Sequence, residues 1–384
     1  MNELPPPPPP GIVIHHQVAQ TGCYIGSPSI VALPDGKLVA SCDLFGPKTN
    51  RLDDVVLVFG SGDKGATWQP LALIRGAFWS GLFVHRGALF LMGSSGENGH
   101  VAIRRSDDGG RTWTQPTDEH HGLLTPDDGW HTAPVPVVVH NGRIWRGFED
   151  IRGGKSWGVC FRARMLSAPE DANLLEAASW TFSEPLARDA SWLGNTFGGW
   201  LEGNAVVTPD GELVDILRVH QPDQPEKAAV VHISADGKGA TFDPAKDFID
   251  LPGGSKKFSI KPDPRGGGYW TIANWVPPQH VTKRPDQLRN TQALLFSADL
   301  RHWQLRSVIL YHPETKVHAW QYLDWQFDGD DLIVASRTAW DDLNGGAHNA
   351  HDANYLTFHR VKGFRELKPE DSPEEVRAEA VAAG

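Results

Sequence analysis

The stretch Ser106-Asp107-Asp108-Gly109-Gly110-Arg111-Thr112-Trp113 reads S-x-D-G-G-x-T-W and follows the short run Val101-Ala102-Ile103-Arg104. Its residues suit a β-hairpin position by position. The glycine pair allows the positive φ angles of a tight turn. The Asp side chain accepts turn amides, and the Trp is a large apolar plug for the hairpin root. Ser61-Gly62-Asp63-Lys64-Gly65-Ala66-Thr67-Trp68 repeats the pattern, with weaker echoes at Ser234-Ala235-Asp236-Gly237 and at Ser297-Ala298-Asp299 with Trp303. A hairpin signature that recurs along one chain predicts a radial repeat such as a β-propeller.

Working outward, a second kind of hairpin recurs at 28–43, 80–93, 132–149, 202–219, 257–274 and 322–338, with turns such as Pro34-Asp35-Gly36 and Pro209-Asp210-Gly211. Six such inner hairpins predict an all-β propeller of six four-stranded blades; a seventh blade hidden in irregular sequence is the structural alternative. Ile12-Val13-Ile14 is placed to complete the last blade and clasp the ring, and the Ala/Leu/Glu-rich insertion 168–179 has the composition of a short helix. The domain reading is a disordered polyproline tail over 1–10, a single propeller over 11–368 and a solvated acidic tail over 369–384.

Composition narrows the function classes. A formal charge of −11 argues against a nucleic-acid surface, and no apolar run is long enough to span a membrane. Three scattered cysteines suit neither a disulfide framework nor a zinc knuckle. The start lacks the basic-then-apolar pattern of a secretory signal, which suggests a cytoplasmic protein or a periplasmic or secreted one whose signal was removed. No cofactor is expected. His348 and His351 with Asp352 form only a weak metal pattern, so no metal is expected either.

Strand order says where chemistry should lie. In a four-stranded blade the two hairpin turns share one face of the disc, so the starts of inner strands and the ends of second strands share the other. That face collects Asp43, His100, His131, Glu202, Arg218, Lys257, Asn274, Arg289, Tyr322 and Arg337. Carboxylates, histidines, arginines and a tyrosine converging on one pore mouth are an active-site inventory. Several also have structural readings: Asp43 as a strand cap, His131 as a core histidine, Arg337 as a tie between blades.

The S-x-D-G-G-x-T-W turns resemble those of the sialidase-like, Asp-box propeller superfamily, and the repeat covers nearly the whole chain. The resemblance implies Asp43 as acid/base, Glu202 and Tyr322 as a nucleophilic pair, and Arg218 and Arg289 as a carboxylate clamp; from their place on the same face, Asn274, Lys257 and Arg337 are read as further substrate contacts and His100 and His131 as lining the subsites. The stretch Gly26-Ser27-Pro28-Ser29-Ile30 lacks the first Arg of the sialidase triad. The wording of Trp200-Leu201-Glu202-Gly203-Asn204 and Ala347-His348-Asn349-Ala350-His351-Asp352 is similar to a branch containing α-L-rhamnosidases and ulvan and rhamnose-glucuronate lyases. That branch implies a uronate-containing glycan as partner. The expectation is a glycoside hydrolase acting on an acidic oligosaccharide or polysaccharide. The alternatives are a lyase using His100 or His131 for β-elimination, and a non-catalytic glycan-binding propeller.

Overall fold

Alternating small and branched residues in the inner hairpins build antiparallel ladders, and tight turns such as Asn141-Gly142 (φ 49° and 71°) close them. The computed structural model describes residues 6–49, 54–221, 224–281 and 284–384. Among these residues there are six antiparallel sheets, taken here as blades one to six in chain order.

Blade one runs Ser29–Ala32, Leu38–Phe45, Val55–Ser61 and Gln69–Arg75 from the axis outward, and blade four begins Gly199–Val207 and Leu213–His220. Blade six pairs Ala319–Asp328, Asp331–Ala339 and Tyr355–Val361, and its fourth strand is Ile12–His16 from the other end of the chain. This closure joins the two ends of the repeat and leaves no free edge between the first and last units. The six-blade expectation holds.

Two details differ from the sequence reading. Blade two forms three strands, Phe78–His85, Ala88–Ser94 and Val101–Ser106, with a single bridge from Ala102 to Leu123 in place of a fourth. The insertion 168–179 continues a strand to Pro169 and then makes only a 3₁₀ turn at Ala177–Ser179, because Trp180 returns into the core between blades two and three.

The core is distributed around the ring. Val31, Val58, Leu82 and Leu91 pack between blades one and two, and Trp145, Met165, Trp200 and Leu217 between three and four. Ile14, Ile30, Ala335 and Leu356 close the circuit between six and one. The C-terminal segment is docked: helix Glu374–Ala383 buries Val376 and Ala380 in the core shared by blades four and five. At the other end, the Trp340 indole donates to the Pro7 carbonyl at 3.1 Å. No helix is long and apolar enough to cross a membrane.

The four Ser-x-Asp turns share a hydrogen-bond pattern. Ser106 Oγ donates to Asp108 Oδ1 at 2.9 Å, and Asp108 accepts both the amide and the hydroxyl of Thr112, at 2.9 and 2.6 Å. Asp63 repeats this with Ser61 and Thr67. These donors hold both carboxylates well down, at about 2. Residues 107–111 and the inner turn 34–37 line one cavity at the end of blade one where Leu38 starts its strand; Asp43 and Phe45, at the strand's far end, line another. The Ser-x-Asp turns and Asp43 therefore lie at opposite ends of the blade.

Candidate active site

Three of the six inner strands carry the same irregularity. Their pairing slips between Phe78 and Gly81, between Leu201 and Asn204, and between Gln321 and Asp324. Inside each slip one large residue takes a left-handed backbone: Trp79 (φ 47°), Glu202 (φ 61°) and Tyr322 (φ 54°). A bulge re-aims a side chain, and holding a non-glycine residue there costs on the order of 1–3 kcal/mol, so the surrounding sheet must enforce it. All three residues, from alternate blades, line a single cavity of about 500 Å³.

Blade one contributes Asp43, which is 1 % exposed. Its Oδ2 accepts the Trp79 amide at 3.0 Å and its Oδ1 accepts the Ser27 amide. Burial raises its pKa above the ordinary carboxylate value; the two amides and the Arg337 charge only partly offset this. Its carboxyl is therefore suited to holding a proton at a pH where an exposed Asp has lost it.

Opposite Asp43, Arg218 Nη1 donates to Glu202 Oε2 at 3.1 Å and Arg218 Nε to the Ser255 carbonyl at 2.8 Å. Burial alone would lower the Arg218 pKa, but Glu202 and the side chain of Tyr322, both hydrogen-bonded to it, hold it above its usual value. Arg337 lies with its guanidinium 4.3 Å from the Phe45 ring centre and 4.8 Å from that of Tyr322. Its Nε donates to the His351 carbonyl at 3.0 Å, and burial brings its pKa down to about 10. No carboxylate among the described residues hydrogen-bonds it.

His131 lines the same cavity. Its Nδ1 lies 2.7 Å from Glu149 Oε2, and its ring packs against Trp79 and Phe161, each 4.4 Å away centre to centre. Burial lowers the His131 pKa to about 4 and drives that of Glu149 well above the carboxylate range. The Gly203 amide, beside Glu202, donates to Glu149 Oε1 at 3.1 Å. Blades three and four are thereby tied together behind the cavity.

Of the residues picked from the sequence, Asp43, His131, Glu202, Tyr322 and Arg337 line the cavity. Arg218 and Arg289 are buried within electrostatic reach of Tyr322; burial lowers the Arg289 pKa, and among the described residues its Nε has no partner. Neither arginine belongs to the cavity lining, and three further residues lie outside it as well. His100 Nδ1 is bonded to the Thr125 carbonyl at 2.9 Å. Lys257 is buried on Ser259 Oγ and the Leu323 carbonyl, at 2.8 and 2.7 Å, with its pKa pulled down to about 8 by burial. Asn274 donates to the carbonyls of Thr291 and Trp320, joining blades five and six. Buried backbone acceptors claim these side chains, so they brace the ring.

Sequence reasoning misses Phe45, Trp79 and Trp157, which give the cavity its aromatic walls. Trp79 had a signal: it occupies the same inner-strand start as Glu202 and Tyr322. Trp157 had none, since it sits in a loop outside the repeat. It is 53 % exposed and is held edge-on by Phe161 and His220, at 84° and 85°.

Fold and cavity together define a six-bladed β-propeller with a cluster of ionisable and aromatic groups at one mouth of its axis. No protein-family model and no curated protein matches the chain. Solved structures do. An α-L-arabinanase of Penicillium chrysogenum complexed with arabinobiose superimposes with a TM-score of 0.59 at 15 % identity, covering 93 % of this chain and 98 % of that one. The intramolecular trans-sialidase of Ruminococcus gnavus in complex with oseltamivir carboxylate gives 0.57 at 13 % identity, covering 93 % and 98 %. An α-L-arabinofuranosidase of Fusarium graminearum complexed with arabinobiose gives 0.59 at 13 %, with the same coverage. At these identities the likeness establishes the shared fold.

Proposed function

We propose that this protein is a glycoside hydrolase whose reaction takes place in the cavity between Asp43 and Tyr322. The observation that carries this reading is a buried carboxyl, its pKa raised by burial, sharing one cavity with a tyrosine that is flanked by Glu202, Arg218 and Arg337. Asp43 protonates the leaving glycosidic oxygen and then, as carboxylate, takes a proton from the attacking water. Tyr322 is the nucleophile. A free phenol ionises near pH 10, so it attacks usefully only when a base such as Glu202 takes its proton and nearby guanidiniums stabilise the oxyanion. The bond from the anomeric carbon to the leaving oxygen breaks as the bond to Tyr322 Oη forms, and water cleaves the intermediate.

The Arg337 guanidinium, buried without a carboxylate hydrogen-bonded to it, favours a substrate carrying an anion, and a uronate as in rhamnosyl-glucuronate is the first choice. Solved propellers of this fold in complex with arabinobiose or oseltamivir carboxylate support a sugar or sugar-like ligand.

One observation favours a second reading, β-elimination from a uronate. His131 faces the cavity with its other nitrogen on Glu149. A pKa of about 4 makes it a weak base, which is why hydrolysis is preferred. The test is incubation with rhamnosyl-glucuronate, ulvan, arabinan and sialyl oligosaccharides, following reducing ends and the near-ultraviolet absorbance of an unsaturated uronate. New reducing ends with flat absorbance support hydrolysis. Rising absorbance moves the reaction to His131, and silence on all four substrates removes the reading for those glycans.

A further inference from the structure

Outside the cavity, the loop between blades five and six carries His312-x-Glu314-x-x-x-His318, and a ligand atom from each of these side chains lies within 4.8 Å of the others. The two imidazoles stack at 3.9 Å, and the indole of Trp340 packs edge-on against both, at 5.2 and 4.7 Å. His318 Nδ1 is 2.9 Å from Glu314 Oε2, while its Nε2 faces Asp341 Oδ2 at 3.2 Å. A ligating imidazole usually directs its other ring nitrogen to a carboxylate, which sets the tautomer and strengthens the ligand. His318 has that support whether or not a cation is present. His312 is already oriented, its Nδ1 accepting the Glu314 amide at 3.1 Å.

We propose that His312, Glu314 and His318 form a binding site for a divalent transition-metal cation, zinc in the first instance, with Asp341 orienting His318. Two imidazoles and a carboxylate suit zinc better than magnesium or calcium, which prefer all-oxygen shells. Binding displaces the proton shared between His318 and Glu314 and replaces the amide contact of His312. The cation then stands where hydrogen bonds now hold the loop.

The site reaches the candidate active cavity through the backbone. Glu314 also accepts the amide of Val317 at 2.9 Å, and the adjacent Lys316 carbonyl accepts the Ala350 amide. The carbonyl of the next residue, His351, holds Arg337 at the cavity wall. A cation at 312–318 therefore braces the loop that positions Arg337.

The test is calorimetric titration of chelator-treated protein with zinc chloride, repeated with cobalt chloride while recording the visible spectrum. The expected result is one equivalent bound, a raised Tm and the intense visible bands of low-coordinate, imidazole-ligated cobalt. His318→Ala and Glu314→Gln should abolish that equivalent, and Asp341→Asn should weaken it by about 10- to 100-fold. The exposed pair His120 and His121, near Asp118 and Glu176, is the control for adventitious binding. A His120→Ala/His121→Ala variant must keep the equivalent. Absence of binding by the wild type, or its persistence in Glu314→Gln and His318→Ala, overturns the proposal. Because binding is read directly, the result stands whether or not the protein proves to be a hydrolase.

Discussion

The carboxylate of Asp43, at the end of a strand in blade one, accepts the backbone amide of Trp79 in the bulge of blade two at 3.0 Å. The contact couples a proposed proton donor to one of the three strained positions that shape the cavity. Asp43→Asn can still accept that amide, but its NH2 then faces the Ser27 amide that the second oxygen accepted, so Tm should fall modestly while the fold persists. Turnover of glycosides with poor leaving groups should fall by about 10²- to 10⁴-fold, while activated aryl glycosides lose much less. Equal losses on both substrate types would remove Asp43 from the acid role.

Tyr322→Phe keeps the ring against Arg337 and removes only the hydroxyl. Hydrolysis should drop at least about 10³-fold with only a small fall in Tm, because the hydroxyl's partner is the Arg218 guanidinium and, among the described residues, no backbone group bonds it. Retained activity in a variant of unchanged stability would sink the nucleophile assignment.

Glu202→Ala should cost stability as well as activity. Glu202 and Arg218 are 3 % exposed each, and removing the carboxylate leaves a buried guanidinium without its counter-charge, a loss of about 3–5 kcal/mol. Urea denaturation of the wild type, Glu202→Ala and Glu202→Ala/Arg218→Met measures it. The double variant should recover part of the loss.

Acid sensitivity should trace partly to His131. Its folded pKa of about 4 lies below the unfolded value near 6.5, so the folded state binds fewer protons between those limits. Stability is then complete above pH 6.5 and falls as the pH drops towards 4. His131→Gln should lack this component, and the wild type's advantage over it should shrink by about 2–3 kcal/mol between pH 8 and pH 4.5. The raised carboxyls of Asp43, Glu149 and Asp215 act in the opposite sense, losing stability as pH rises, and are common to both proteins. An unchanged difference across that window would place the acid limb elsewhere.

Asp108→Ala probes the turn face. It removes the acceptor for the Thr112 amide and hydroxyl but touches nothing in the cavity. Tm should fall by about 2 °C and kcat/KM should not move. A selective loss of activity would mean that the turn face takes part in function.

What was legible beforehand followed from local chemistry. Gly110, Asp108 and Trp113 each act within a few residues of their own position, so the hairpins, their number and the face carrying Asp43, Glu202 and Tyr322 could be read from the chain. Strand order assigned His100, Lys257 and Asn274 to that face, yet they lie outside the cavity lining, and backbone acceptors, two of them far along the chain, bind them. Repeat position says which way a strand end points but not what a neighbouring blade offers it.

By itself the sequence pointed to six blades with a seventh left open, to a clasp by Ile12-Val13-Ile14 and to a division into a turn face and a mouth, because turn geometry and strand alternation are short-range properties. Only the tertiary structure decided that Trp79, Glu202 and Tyr322 would be turned left-handed into one cavity, and that Asp43 would be buried enough to raise its pKa above the ordinary carboxylate value. It also decided that the His312–His318 loop would stand two contacts from Arg337. Bulge strain, desolvation and charge pairing depend on groups contributed by different blades, and the distances between those groups exist only once the ring has closed.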